Sequence, residues 1–281
     1  MVQTKKKQSV RRRATRRSRN SKNPLRRIPS FLLWGLLFVV VLIYVVFFYR
    51  TFVSPYSIRW KALYGTVTYP EGNVRGIDVS HYQEEIDWEH LRNARLQGEP
   101  LSFIFVKATE GTDIIDENFN QNFYNARKNN IVRGAYHFFS TKTPAARQAK
   151  FFCKIVQLED EDLPPVLDVE TLGDLQPQQL RSAVRTWLDI VEQHYGVTPI
   201  LYTSYKFKTS YLNTKDFDRY PYWIAHYYVD SLTYKGPWHF WQHTDAGRID
   251  GIRGYVDVNV FNGSYDQLVK MTLGQRAKDK E

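Results

Sequence analysis

Cysteine is almost missing from this sequence, which has only Cys153 among its 281 residues. One cysteine excludes an internal disulfide and any metal site built from several thiolates. The histidines also lack the spacing of a zinc site, and the motif H-E-x-x-H is absent. We therefore expect neither a bound metal nor a cofactor.

Acidic residues are missing from the first 30 positions, where twelve Lys and Arg occur. The whole chain has 39 basic and 29 acidic residues, so the part after residue 30 keeps 27 basic residues against all 29 acidic ones. A nearly neutral folded part does not favour nucleic-acid binding, and we expect no nucleic-acid partner. The basic run itself could bind nucleic acid or anionic lipid, but it is better explained as a determinant of membrane orientation.

Charge is missing altogether from residues 31–49, FLLWGLLFVVVLIYVVFFY. As a helix this run spans about 28 Å, close to the ~30 Å hydrocarbon core of a membrane. A cleaved signal peptide is the alternative, but its apolar part usually has about 7–15 residues and precedes a small-residue cleavage site that is lacking here. The sequence thus predicts a single-pass membrane protein with a cytoplasmic N-terminus and a domain outside, in the periplasm or cell envelope.

The predicted organisation has five parts: a basic cytoplasmic tail (1–30), a transmembrane helix (31–49), a juxtamembrane connector (50–74), a folded domain (75–265) and a C-terminal tail (266–281). The folded domain contains eight short apolar runs, at 75–79, 102–108, 132–139, 164–170, 199–204, 222–227, 239–244 and 255–261. Helix-like segments separate the early runs, at 86–95, 116–130, 143–158 and 177–196, the last ending at Gly196 as a C-cap. This alternation is typical of parallel βαβ units. The later connections are shorter. We predict an α/β barrel of about eight strands with reduced helices in its second half, with an open doubly wound sheet as the alternative.

Polar side chains occur inside these apolar runs, where burial is costly. Four of them are acids, Asp78, Asp168, Glu170 and Asp257, on the first, fourth, fourth and eighth runs. Because the carboxyl ends of parallel barrel strands converge, these acids should meet at one mouth. Asp168 and Glu170, two residues apart, would share a face with Cα atoms roughly 6.6 Å apart. Clustered acids separate their pKa values into a proton donor and one or more anions.

Structural roles are the alternative for each residue taken singly. Asp78 could cap a turn, Asp257 could pair with a nearby arginine, and Lys107 could neutralise one of the acids. His137 and His226 are best explained as hydrogen-bonded core residues. Four acids on three strands are harder to explain in this way than any one of them.

The motifs in these runs resemble, in order, those of glycoside hydrolase family 25, the lysozymes of the Chalaropsis type. The matching stretches are RGIDVSHYQ with IDW, FVKATEG, GAYHFF, PPVLDVE, PILYTS, YWIAHY, and WQHT followed by VDVNVF. The resemblance covers about residues 74–262. It implies a flattened (β/α) barrel with an acidic groove and hydrolysis of the β-1,4 bond between N-acetylmuramic acid and N-acetylglucosamine in peptidoglycan.

The resemblance also implies roles for the acids. Glu170 matches the general acid, and Asp168, Asp78 and Asp257 match the other acids of the family's pattern. Asp168 would stabilise the substrate's 2-acetamido group acting as an internal nucleophile, while direct displacement with an acid as base stays open. We expect the remaining strand-borne polar and aromatic residues to bind the glycan: Lys107, Tyr136, Tyr202, Trp223, Trp241, Gln242 and Asn259.

The chain departs from the family's usual architecture, because many relatives carry wall-binding repeats and this chain has a membrane anchor instead. A catalytically inactive, membrane-anchored module that binds peptidoglycan is therefore an alternative function. Such a module needs aromatic residues but no proton donor, and the presence of both Asp168 and Glu170 favours the enzyme.

Overall fold

The computed structural model describes residues 29–53 and 74–278. Most of the predicted basic tail, the connector from 54 to 73 and the last three residues of the predicted C-terminal tail lie outside the described residues. The chain divides into two compact units, one ending at Val53 and one beginning at Ser54, and each is described by itself.

The first unit is a helix, α1 (Ser30–Phe48), continued by one π-helical turn over Tyr49–Val53. Its apolar side chains are exposed all round, and the candidate membrane span over Ser30–Phe52 includes the predicted 31–49. Length and composition suffice for crossing a membrane, a property that an N-terminal signal sequence shares.

Ten strands lie in the described part of the second unit. They are β1 (Val74–Val79), β2 (Arg95–Leu96), β3 (Glu99–Glu110), β4 (Ile114–Ile115), β5 (Val132–Phe138), β6 (Val166–Asp168), β7 (Ile200–Ser204), β8 (Tyr222–Ala225), β9 (Phe240–Gly247) and β10 (Val256–Phe261). Eight of them close a barrel in the order β1-β3-β5-β6-β7-β8-β9-β10, and β10 returns to β1. All eight predicted strands are present and the predicted barrel is confirmed, which excludes the open-sheet alternative.

One of the eight barrel strands runs against the other seven. Six neighbouring pairs from β1 through β9 are parallel, whereas β10 is antiparallel to both β9 and β1. The prediction of parallel units is therefore wrong for the last strand, because the short connection between Gly247 and Val256 leaves no room for a crossover. The reversal places Asp257, at the start of β10, opposite Asp78, near the end of β1.

Seven helices accompany the strands in the part of the second unit that the structure describes. They are α2 (Trp88–Leu91), α3 (Phe119–Lys128), α4 (Ala145–Ile155), α5 (Pro177–Tyr195), α6 (Tyr205–Tyr211), α7 (Tyr265–Lys270) and α8 (Leu273–Lys278). The three long helices follow the β3–β4 pair, β5 and β6, as predicted, and α5 ends at Gly196 with a left-handed φ of 72°. The first predicted helix, at 86–95, is only one turn, because Asp87 caps it at Trp88 and the chain enters β2 at Arg95.

Two apolar cores hold this unit together. The larger lies where the strands pack against the helices, and the smaller contains Phe103, Phe105, Trp223 and Phe240. Backbone and ring approach closely in the smaller core, since a Cβ added at Gly76 would lie 2.3 Å from the Phe103 ring.

The last two helices occupy much of the predicted C-terminal tail, 266–281. Leu268 of α7 and Met271 just after it are buried in the smaller core. The backbone of Leu273 donates a hydrogen bond to the carbonyl of Asp162, and that of Gly274 to the carbonyl of Asp160. The described part of this segment is therefore packed on the barrel, beyond the predicted domain end at 265.

Candidate active site

A cavity of about 210 Å³ opens where the barrel strands β1, β6 and β8 end. Because β10 is reversed, its first residues reach the same place. Nine of the eleven predicted site residues line this pocket: Asp78, Lys107, Tyr136, Asp168, Glu170, Tyr202, Trp223, Gln242 and Asp257.

Asp168 and Glu170 differ in their surroundings although they are two residues apart. Strand β6 is shorter than predicted and ends at Asp168, so Glu170 lies in the loop that follows. The Asp168 side chain is buried, and its Oδ1 accepts no hydrogen bond from residues within the described ranges. Glu170 is more exposed, and also lines the pocket. One carboxyl is thus embedded in the wall and the other is accessible.

Asp78 is held by two amides. Its Oδ1 accepts hydrogen bonds of 2.7 Å from Gln242 Nε2 and 2.7 Å from Asn259 Nδ2. Further hydrogen bonds, made by the amide oxygens, fix the orientation of both amides. Gln242 Oε1 accepts hydrogen bonds from the hydroxyls of Tyr202 and Tyr227, at 2.6 and 2.7 Å.

The Asn259 amide is fixed in the same way. Its Oδ1 accepts a 2.8 Å hydrogen bond from the indole Nε1 of Trp223. A tryptophan N–H can only donate, so Asn259 must present its NH₂ group to Asp78.

Burial raises the pKa of all four acids. It raises the pKa of Asp78 to about 7, against the opposing effect of its two amide donors, with a further rise from the charge of Glu170. Burial, followed by the charge of Asp78, raises the pKa of Asp257 to about 9. The pKa of Asp168 rises well above its usual range through burial and the charges of Glu170 and Asp78.

The pKa of Glu170 is also raised, first by loss of solvation. The nearby Tyr202 hydroxyl and the charge of Lys107 act in the opposite direction. Lys107 itself donates a 2.7 Å hydrogen bond to Glu110 Oε2. A pocket of this kind keeps protons near neutral pH, as general acid catalysis requires.

Aromatic side chains form much of the pocket wall. The Trp223 ring is almost fully buried and stacks on Phe105, with ring centroids 4.4 Å apart. Tyr202 and Tyr136 pack around it, at 4.4 and 6.3 Å between centroids. These three rings therefore combine core packing with a face toward the pocket.

Two predicted site residues do not line the pocket. Trp241 is 2% exposed, and its Nε1 donates to the carbonyl of His226. Alternate residues of a strand point to opposite faces, and since Gln242 faces the pocket, Trp241 faces away from it. Asn259 is fully buried behind Asp78. The structure thus assigns Trp241 to packing and Asn259 to positioning, in place of direct glycan binding.

The sequence interpretation missed several lining residues. Tyr82 is 78% exposed beside the pocket, and Tyr227 lines it just after the end of β8. Ser80 and Gln83 also line it, and their reciprocal side-chain bonds cap the short helix that carries Tyr82. Position at the carboxyl end of a predicted strand was the signal that could have identified these residues.

Comparison with known proteins agrees with the family resemblance of the sequence motifs. A model of the glycosyl hydrolases family 25 matches residues 77–252. Uncharacterized protein YegX of Escherichia coli (strain K12) is 42% identical over 217 residues, covering 77% of this chain and 76% of that protein. Lysozyme M1 of Streptomyces globisporus is 33% identical over 217 residues, covering 70% and 71% of the two chains.

The fold agrees with solved structures as well. The bacterial lysozyme from Streptomyces coelicolor superposes with a TM-score of 0.67 at 31% identity, covering 73% of this chain and 99% of that one.

Proposed function

The chain belongs to glycosyl hydrolase family 25 and is a glycoside hydrolase of the muramidase type, and from this premise we propose that it cleaves peptidoglycan at the β-1,4 bond between N-acetylmuramic acid and N-acetylglucosamine. The observation that carries the proposal is a pair of neighbouring carboxyls with different surroundings. Glu170 is accessible and has a raised pKa, whereas Asp168 is buried and one of its oxygens accepts no hydrogen bond from the described residues. Glycosidic cleavage needs one group to protonate the leaving oxygen and another to stabilise the developing positive charge.

Glu170 is the proposed general acid. It is the most exposed of the four carboxyls, so a glycosidic oxygen entering the pocket can reach it. Its raised pKa keeps a proton available closer to neutral pH. After the leaving sugar departs, the Glu170 carboxylate can accept a proton from the water that attacks the anomeric carbon.

Asp168 is proposed to act on the substrate's 2-acetamido group. Asp168 lines the pocket, and its carboxylate can accept the acetamido N–H, which would hold the acetamido carbonyl oxygen toward the anomeric carbon. The oxygen–carbon bond forms as the glycosidic bond breaks, and the resulting positive charge lies next to Asp168. Water then attacks the anomeric carbon and restores the acetamido group.

Substrate binding also decides which of the two neighbouring carboxyls keeps its proton. A donated N–H favours the ionised form of Asp168, and the negative charge of Asp168 then raises the pKa of Glu170. Lys107 supports the ionised form of Asp168 because its charge lowers that pKa. The bound state would therefore have an Asp168 anion and a protonated Glu170, as the reaction requires.

Asp78 and Asp257 are proposed to shape the groove, bind water and tune Glu170. The charge of Glu170 contributes to the raised pKa of both, so the coupling works in either direction. Direct displacement, with one of these acids as the base for water, is the second route that the cluster allows.

The location follows from α1 and the basic run before it. We infer a single-pass membrane protein with a cytoplasmic N-terminus and a barrel in the periplasm or cell envelope, where its polymeric substrate lies. Peptidoglycan strands are the proposed partner, and no nucleic acid is expected.

The decisive experiment incubates the full-length protein, in detergent, with purified peptidoglycan and identifies the new reducing ends by mass spectrometry. A muramidase produces fragments that end in reducing N-acetylmuramic acid. New N-acetylglucosamine ends would contradict the proposed bond, and binding without new ends would identify a glycan-binding module.

A further inference from the structure

A hairpin with two exposed isoleucines stands beside the pocket. Strand β3 turns at Gly111, which has a left-handed φ of 56°, and returns as β4. The pairs are Thr109 with Ile115 and Glu110 with Ile114. Both isoleucines are exposed, Ile114 by 51% and Ile115 by 45%. We call residues 107–116 the rim hairpin.

The rim hairpin is tied to the pocket wall on two sides. On one side, Glu110 Oε2 accepts a 2.7 Å hydrogen bond from Lys107 Nζ, and Lys107 lines the pocket. On the other side, Asp116 Oδ2 accepts the backbone N–H of His81 at 3.0 Å and lies 2.9 Å from its Nδ1. The neighbours of His81, Ser80 and Tyr82, both line the pocket.

The two isoleucines lie on opposite faces of the rim hairpin. Directly paired residues of antiparallel strands share a face, so Ile114 lies on the face of Glu110. Alternation places Asp116 on this face too, and both acids bond to the pocket wall. Ile115 shares the other face with Thr109, whose hydroxyl bonds to the buried His137 at 2.7 Å. Only Ile114 is thus turned toward the pocket rim.

The pocket is too small for the whole substrate. Its volume of about 210 Å³ is below the usual range for a site that encloses a ligand, so most of a glycan strand must lie on the surrounding surface. In peptidoglycan, a stem peptide branches from the muramic acid next to the bond that would be cut. A flat sugar ring packs best on an aromatic face such as that of Tyr82, whereas a branched aliphatic side chain suits the apolar groups of a peptide.

We propose that Ile114 is a contact for the stem peptide of the substrate, so that the rim hairpin makes the enzyme prefer glycan that still carries its peptides. This inference rests on the proposed function. Ile114 would extend the binding surface beyond the pocket, on the part of the rim hairpin that the Lys107–Glu110 and His81–Asp116 pairs hold in place.

The test compares two substrates with the full-length protein in detergent: purified peptidoglycan, and the same glycan after enzymatic removal of its stem peptides. Ile114→Ser should lower kcat/KM on the peptide-bearing polymer by about 3- to 10-fold and leave the rate on the peptide-free glycan within about twofold. Ile114→Val should keep most of the preference. Ile115→Ser is the matched control, since it removes a neighbouring isoleucine of similar exposure from the opposite face.

The outcomes separate this inference from the proposed function. If the wild-type protein cleaves neither substrate, the proposed function fails. If it cleaves both and Ile114→Ser lowers both rates equally or neither rate, the peptide contact is overturned. An equal loss of preference in Ile115→Ser would also overturn the assignment to Ile114.

Discussion

Asp78 differs from the other three carboxyls in being fixed by two amide donors. Gln242 and Asn259 hold one of its oxygens, and the tyrosine and tryptophan behind them prevent either amide from turning round. Such a group is a rigid acceptor, poorly suited to giving a proton to a moving substrate. Glu170 is more exposed and also lines the pocket, which is why we assign the proton donor there.

The first prediction concerns this proton. Glu170→Gln keeps the shape of the side chain but cannot donate a proton at neutral pH, so peptidoglycan hydrolysis should fall by about 10²–10⁴-fold. Binding to insoluble peptidoglycan, measured by co-sedimentation, should survive. Glu89→Gln, on α2, is the matched control and should keep full activity.

The same experiment can reject the assignment. A folded Glu170→Gln variant that cleaves at close to the wild-type rate would leave Asp78 or Asp257 as the donor. Unfolding of the variant would indicate that Glu170 has a structural role.

At the scale of elements, the loop that carries Glu170 rests on the loop after β5. Gly173 has a left-handed φ of 55°, and a Cβ added there would lie 2.3 Å from the Thr141 hydroxyl oxygen. The loop containing Thr141 is held in turn by Gln148, whose Nε2 donates to the carbonyls of Ser140 and Thr143 at 2.7 and 2.8 Å. Two neighbouring loops thus fix the direction from which Glu170 enters the pocket.

Gly173→Ala should disturb this contact. Backbone strain and the clash with Thr141 should lower stability by about 1–2 kcal/mol, and displacement of Glu170 should lower kcat by about tenfold. Gly98→Ala provides the control, because Gly98 also has a positive φ, 83°, but no atom within 4 Å of the added Cβ.

Thermal unfolding and kcat, measured together, distinguish the two effects. The control should lose stability alone. Equal kcat values in the two variants would show that the loop contact does not position Glu170.

The elements that the sequence predicts well are those set by local patterns. All eight barrel strands follow from short apolar runs, and α5 follows from the helix-like segment that ends at Gly196. The misassigned features depend on closure of the barrel. The direction of β10 is set by its pairing with β1, and the burial of Trp241 by the face on which β9 presents Gln242. Neither the direction in which a strand pairs nor the face of the sheet on which a side chain lies can be obtained from a run of residues by itself.

For the whole molecule, the raised carboxyl pKa values predict how stability depends on pH. Asp78 and Asp257 have pKa values of about 7 and about 9 in the folded chain, against about 4 for an unfolded aspartate. The folded state therefore holds extra protons, and the stability they confer is complete below pH ~4 and lost as pH rises through the folded pKa values. The free energy of unfolding should fall between pH 7 and 9, by at most about 1.4 kcal/mol per pH unit for each proton.

Denaturant titrations of the full-length protein in detergent at pH 7, 8 and 9 would measure this slope. His137 and His243, with pKa values lowered by burial to about 4 and about 3, titrate below this window. Asp257→Asn should flatten the slope while leaving the fold intact. An unchanged slope in that variant would contradict a protonated Asp257 in the folded chain.

Membrane topology is the second prediction at this scale. Twelve basic residues before an uncharged span should keep the N-terminus in the cytoplasm and the barrel outside. Protease added to intact spheroplasts of expressing cells should digest the barrel and spare a tag placed before residue 1. A barrel that resists protease until the membrane is broken would indicate the opposite orientation.

The antiparallel pairing of β10 with β1 also has a consequence for synthesis. Asp78 is translated early, whereas its neighbour Asp257 and its amide donor Asn259 arrive only with the last strand. A nascent or C-terminally clipped chain that stops before β10 lacks both residues and leaves β1 and β9 as unpaired edges. We therefore expect hydrolytic activity to appear only after β10 has been made and has joined β1 to close the barrel.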